Sequence, residues 1–241
     1  MKKVVSLICL MALVVSMLSL SGCALFDNEN DKSYGVATCS VAICEILDAL
    51  GCEEVVGVPT TGDTLPNRYS GIKTIGAPME PQMEILKQIN PEIVLVPKTL
   101  KASLDAQFSA ASINVKYIDL SDINEMYNDI VEIGDLIGKE SEAQQLYDGY
   151  TEYIDAYPKS DTDISVMTIM AFASLFTIAT EDSYVGNLVK LAGGKNVYGA
   201  GYVSDDTGVI TNYSLEDMAQ KNPDIIIVFA HFNEEYAFAY I

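Results

Sequence analysis

The chain of 241 residues contains one histidine, one arginine and no tryptophan, and it sets only 14 basic side chains against 34 acidic ones. Each shortage excludes a class of function. A binder of bare zinc or manganese needs several imidazoles beside its carboxylates, and His231 alone does not supply them. A net charge of −20 excludes recognition of nucleic-acid phosphates and repels anionic lipid surfaces. No Gly-x-Ser-x-Gly, no His-Glu-x-x-His and no cysteine matched to a candidate base occurs, so an enzyme is not expected. Cysteine is sparse as well. Cys9 and Cys23 belong to the N-terminal segment, and Cys39, Cys44 and Cys52 have apolar neighbours that suit small buried side chains better than a metal site.

What is present is globular: 49% hydrophobic and 20% charged residues, in a length that holds one large domain or two small ones. Met1 to Gly22 reads as a targeting segment, with Lys2 and Lys3 ahead of the uncharged apolar run Val4 to Leu20. Its removal takes two lysines and no acid, leaving 12 bases against 34 acids, a charge of −22. Residues 23–33, with Asp27, Glu29 and Asp31, read as a flexible tether.

The most informative stretch is Asn222 to His231. Pro223 bars a helix from running through it, and the β-branched run behind Asp224 predicts a strand covered on both sides. That strand ends on His231. Ligands of open α/β sheets bind beyond the carboxyl ends of strands, although by position alone a histidine there serves equally as a satisfied polar residue. The stretch has an echo: residues 82–96 align without gaps on residues 214–228, sharing Glu84/Glu216, Gln88/Gln220, Asn90/Asn222, Pro91/Pro223 and Val96/Val228. Each copy reads as a short acid-bearing helix, an Asn-Pro-acid turn and a buried strand, which implies two similar α/β lobes.

Around these units the chain alternates strands and helices. Tyr34 to Cys39 reads as a strand, Ser40 caps a helix that Gly51 ends, and Glu53 to Val58 forms a second strand before the Pro59 to Asp63 loop. Ile75 to Pro81 reads as a loop pinned by two prolines. After the first repeat come a helix to about Ala111, a strand at 115–120 and a helix to Ile137. Glu140 to Ala156 is amphipathic, with Leu146, Tyr150, Tyr153 and Ile154 on its apolar side, and Pro158 stops it. The expected division is residues 1–22 targeting segment, 23–33 tether, 34–138 N-terminal lobe, 139–158 connecting helix and 159–241 C-terminal lobe. A C-terminal lobe built like the first needs one more strand and helix, so it is expected to be incomplete.

Leu20-Ser21-Gly22-Cys23 resembles the lipobox of bacterial lipoproteins, which implies a lipid anchor on Cys23. From there to its end the chain resembles the substrate-binding lipoproteins of ABC importers for heme, siderophores and cobalamin, and within them the heme-receptor lipoproteins of Gram-positive bacteria. The motifs are Pro78-Met79-Glu80-Pro81-Gln82-Met83-Glu84 and Pro223-Asp224 through Ala230-His231. The resemblance implies the class III binding-protein fold, two similar three-layer α/β lobes joined by one long helix. It implies that heme b, iron protoporphyrin IX, is carried between axial ligands Met79 and His231. A methionine judged without the family is more simply a core filler.

The same resemblance gives Glu84 and Glu216 to docking on the permease dimer of an importer with its ATPase, and surface heme-donor proteins as further partners. In the first turn of a helix either carboxylate is also favoured by the macrodipole alone. Lys98, Lys101, Arg68, Thr60 and Thr61 are the candidate donors to the heme propionates. The implied place is the outer face of a Gram-positive cell membrane. A ferric siderophore or cobalamin is the alternative ligand; a single arginine weighs against anionic siderophores, and the lack of tryptophan removes one aromatic wall for a corrin.

Overall fold

In a computed structural model, residues 35–157, 163–172, 175–203 and 207–231 are described. The targeting segment, Cys23, the tether, Pro158 and the residues after His231 lie outside them. Strands β1 (Val36–Thr38), β2 (Val55–Gly57), β5 (Ile93–Pro97) and β6 (Val115–Ile118) form a parallel sheet in the order β2-β1-β5-β6. Its two faces are covered by different helices. On one, α1 (Val41–Ala49), α4 (Ile123–Ile137) and α5 (Glu140–Ala156) bury Ile43, Leu47, Ile130, Ile133 and Ala143 against Val36 and Leu95. On the other, α2 (Met83–Ile89) and α3 (Lys101–Ala111) bury Leu86, Leu104 and Phe108 against Ala37 and Val94. The alternation of Val94 and Leu95 between the two faces is the period-two rule of a strand covered twice.

Local chemistry sets the helix ends. Ser40 Oγ accepts from the Ile43 amide at 3.4 Å to open α1, and Asp122 Oδ1 accepts from the amides of Asn124 and Glu125 at 2.8 and 3.1 Å to open α4. Gly138, at φ +67°, closes α4. The antiparallel pair α4–α5 is drawn close at Gly134, where a Cβ would lie 2.4 Å from that of Ala143, and Tyr127 stacks on Tyr150 with ring centres 4.1 Å apart. Tyr150 is buried as expected, but Tyr153 is 62% exposed. It sits three residues on, against Tyr157 rather than the core.

The second sheet is mixed. Strand β7 (Ser165–Phe172) is its centre, flanked by β11 (Ile225–His231) in parallel on one side and by antiparallel β8 (Leu175–Ala179) and parallel β9 (Lys195–Asn196) on the other, with β10 (Val209–Ile210) beyond β8. Helix α6 (Tyr184–Leu191), capped by Ser183, packs on β7, and α7 (Leu215–Lys221), capped by Ser214, leads into β11. Ile225, Ile226 and Phe229 are 45, 51 and 47% exposed. This corrects the expectation of a strand covered on both sides. Its counterpart β5 lies between β1 and β6, whereas β11 pairs only with β7 among the described residues. The helix-turn-strand repeat itself holds, down to Asn90 and Asn222, which both end their helices in the left-handed region at φ 45° and 41°.

Two threonines of this sheet, Thr168 and Thr177, are buried with hydroxyls that have no hydrogen-bond partner among the described residues. A buried unpaired hydroxyl costs about 1–3 kcal/mol, and valine has nearly its shape. Thr168→Val is therefore expected to raise stability by about 1 kcal/mol, read as a higher urea midpoint at unchanged slope.

Candidate functional site

The first sheet is parallel throughout, so the carboxyl ends of its strands share one edge, and the chain leaves each end through a polar loop. After β2, Val58 pairs with Thr74 and the Thr60 amide donates to the Gly76 carbonyl at 2.8 Å. Between these bonds the loop bounds a pocket of about 410 Å³ lined by Pro59, Thr60, Thr61, Asp63, Asn67 and Thr74 among others. Tyr69 anchors its far side, buried with its hydroxyl donating to the Cys52 carbonyl at 2.9 Å. The size falls within the range of about 300–1,000 Å³ of small-molecule sites.

The segment expected to be a loop pinned by two prolines is a hairpin. Strands β3 (Gly76–Ala77) and β4 (Glu80–Pro81) pair antiparallel, and Pro78-Met79 makes the turn. Gly76 makes this possible: at φ +104° it takes a conformation that side chains disfavour, and a Cβ there would meet the Glu80 carbonyl at 2.6 Å. The Gln82 amide then donates to the Ile75 carbonyl at 2.6 Å, closing the hairpin on itself. Met79 is thus held at the tip and is 69% exposed. Met83, four residues on, packs instead against Leu86 and the second core cluster. The second lobe takes a different path before its repeat helix, as β10 pairs with β8 where the first lobe forms its hairpin.

At the same edge, after β5 and β6, Lys98 pairs with Asp119 at 2.8 Å, and Lys101 lies 5.4 Å from the centre of the Tyr117 ring. Burial pulls the Asp119 carboxyl upward, but hydrogen bonds from Lys98 and Ser121 outweigh it and hold it below the usual carboxylate range. Tyr117 in turn donates to Asp105 at 2.9 Å. Each ammonium at this edge is therefore positioned by neighbours fixed on the sheet. Arg68 is not part of this group. It pairs with Asp48 at 2.9 Å near the end of α1, which runs away from the edge.

Thr61 Oγ1 donates to Asp63 at 3.0 Å and accepts from the Asp63 amide at 2.9 Å. Glu84 and Glu216 are exposed in the first turns of α2 and α7, where Glu84 meets Lys87 at 3.4 Å and Gln220 donates to Glu216 at 3.4 Å. In the second sheet, β11 runs in register with β7 and brings His231 opposite Phe172 at the carboxyl end of both. Cys39, Cys44 and Cys52 are free and buried, and burial pushes the Cys39 and Cys44 thiols up to about 11 and about 12. No group of three or more His, Cys, Asp or Glu among the described residues is arranged to hold a metal ion. No described helix is long and apolar enough to cross a membrane.

Two α/β lobes with polar loops at their strand ends have the form of a ligand-binding protein. The chain belongs to the periplasmic binding protein family, whose model matches residues 36–238. It is 30% identical over 226 residues to the high-affinity heme uptake system protein IsdE of Staphylococcus aureus, an alignment covering 91% of this chain and 75% of that one. The crystal structure of S. aureus IsdE complexed with heme superposes with a TM-score of 0.76 at 29% identity, over 86% of this chain and 80% of that one. An ABC transporter substrate-binding protein from Listeria monocytogenes gives 0.74 at 31% identity, over 87% and 80%. The chain is accordingly a substrate-binding protein that serves transport, not an enzyme.

Proposed function

We propose that this protein binds heme between its lobes, with Met79 and His231 as the two axial ligands, and delivers it to the permease of an ABC importer for iron acquisition. The observation that carries the reading is the exposed thioether of Met79 at the tip of a hairpin, where a methionine used for packing would be buried. Similarity to a heme uptake protein supports it. Thioether and imidazole are neutral donors that suit six-coordinate, low-spin iron, and one from each lobe closes the site across both porphyrin faces. Lys98 and Lys101, with Thr60, are the donors proposed for the propionates; the Thr61 hydroxyl already donates to Asp63. Glu84 and Glu216 dock the permease, and such exposed charges act mainly on encounter and orientation. A lipid on Cys23 holds the protein at the outer face of the membrane, since two or more acyl chains suffice for stable anchoring.

Titration with hemin tests the reading. Saturation at one hemin per chain with a low-spin six-coordinate spectrum is expected. Saturable binding of a ferric siderophore or of cobalamin, without hemin binding, overturns it.

A further inference from the structure

Helix α6 of the second lobe touches the first lobe through Asn187. Its side-chain amide donates from Nδ2 to Asp122 Oδ2 at 3.1 Å, and its Oδ1 accepts from the Ile123 amide at 3.5 Å. Asp122 is the capping residue of α4 and uses its other oxygen, Oδ1, for the helix amides of Asn124 and Glu125. Both partners are half-buried. The next residues extend the network to the connecting helix, as the Tyr150 hydroxyl donates to Asn124 Oδ1 at 2.9 Å. One short polar cluster therefore joins α4, α5 and α6.

The rigid parts on each side make this contact consequential. Asp122 follows β6 by four residues, and β6 is paired through β5 and β1 to β2, whose outgoing loop is bonded to the Met79 hairpin. On the other side α6 packs on β7, which carries β11 in register along all seven of its residues to His231. Asn187 therefore stands between two hydrogen-bonded sheets, one bonded to the hairpin of Met79 and the other ending at His231.

Resting on the heme reading above, we infer that Asn187 is a positioning residue for ligand capture: its paired hydrogen bonds to the start of α4 set where the end of β11 stands relative to the β3–β4 hairpin. Polar residues in direct contact are coupled strongly enough for loss of the pair to change a dissociation rate about tenfold.

The test is an exchange of the two side chains. Asn187→Asp sets two carboxylates against each other, whereas Asp122→Asn with Asn187→Asp restores an amide-to-carboxylate bond and keeps a residue at position 122 that caps a helix. Two readouts are taken: the radius of gyration of the ligand-free protein by small-angle X-ray scattering, and the hemin dissociation rate. Asn187→Asp is expected to enlarge the first and speed the second about tenfold, with the exchanged pair restoring both. A wild-type radius and rate in Asn187→Asp, or failure of the exchanged pair to restore them, overturns the inference. If the wild-type protein does not bind hemin, the functional reading fails by itself, and the scattering comparison still decides the role of Asn187.

Discussion

Met79→Ala is expected to convert the hemin complex from six-coordinate low-spin to a five-coordinate or water-ligated form and to weaken binding about a hundredfold, about 2.7 kcal/mol. The fold should not notice. Met79 is 69% exposed and belongs to neither core cluster of the first lobe, so thermal and urea midpoints of the hemin-free protein should stay at wild-type values. Met83→Ala is the contrasting substitution. Its thioether packs against Leu86 and the second cluster, so the variant should lose stability while its hemin spectrum is retained. His231→Ala removes the only imidazole in the chain and should match Met79→Ala in its effect on the spectrum. Retention of the wild-type spectrum by both Met79→Ala and His231→Ala would show that neither residue ligates the iron.

The largest loss of stability is expected at Gly186, in the first turn of α6. A Cβ there would stand 1.9 Å from the Thr180 carbonyl oxygen and 2.7 Å from its carbon, both backbone atoms. That carbonyl does not readily retreat. It accepts from the Ser183 amide at 3.1 Å and the Ser183 hydroxyl at 2.8 Å, while the Thr180 amide and hydroxyl are held by the Gly208 carbonyl at 2.9 and 2.8 Å. Gly186→Ala must push α6 off β7 or break this buried cluster, and a loss of at least about 3 kcal/mol is expected in chemical denaturation. Gly149 supplies the opposite sign. It lies inside α5 with no described atom beyond its chain neighbours and its own helix backbone within 4 Å of the added Cβ, and Gly149→Ala is expected to stabilise by up to about 1 kcal/mol through helix propensity. Equal responses at the two sites would refute close packing as the reason for Gly186.

Legibility differed from element to element for physical reasons. The strand at 93–97 and the helix opened by Ser40 are readable because β-branched runs and a capping hydroxyl act on their own neighbours in the chain. The 82–96 and 214–228 units were recognisable as copies because both rest on the same local device, a short helix ended by a left-handed asparagine ahead of proline. Met79 is singled out by its motif, but the loop pinned by two prolines expected around it is a hairpin. The hairpin depends on Gly76 meeting Glu80 and Pro81 across a turn, and on the Thr60 amide sixteen residues earlier. Asn187 carried no sequence signal at all, since its partners Asp122 and Ile123 are 65 and 64 residues away.

By itself the sequence determined the alternation of strands and helices, the doubled unit and a short list of candidate ligands, because composition, periodicity and capping are properties of neighbouring residues. Only the tertiary structure decided that β5 is central while β11 has a single partner among the described residues, that Arg68 is spent on Asp48 while Lys98 is held at the strand ends by Asp119, and that Asn187 joins the lobes. Those outcomes depend on which distant segments come to lie side by side, and the pairing of distant segments is settled by the packing of the whole chain rather than by any stretch of it.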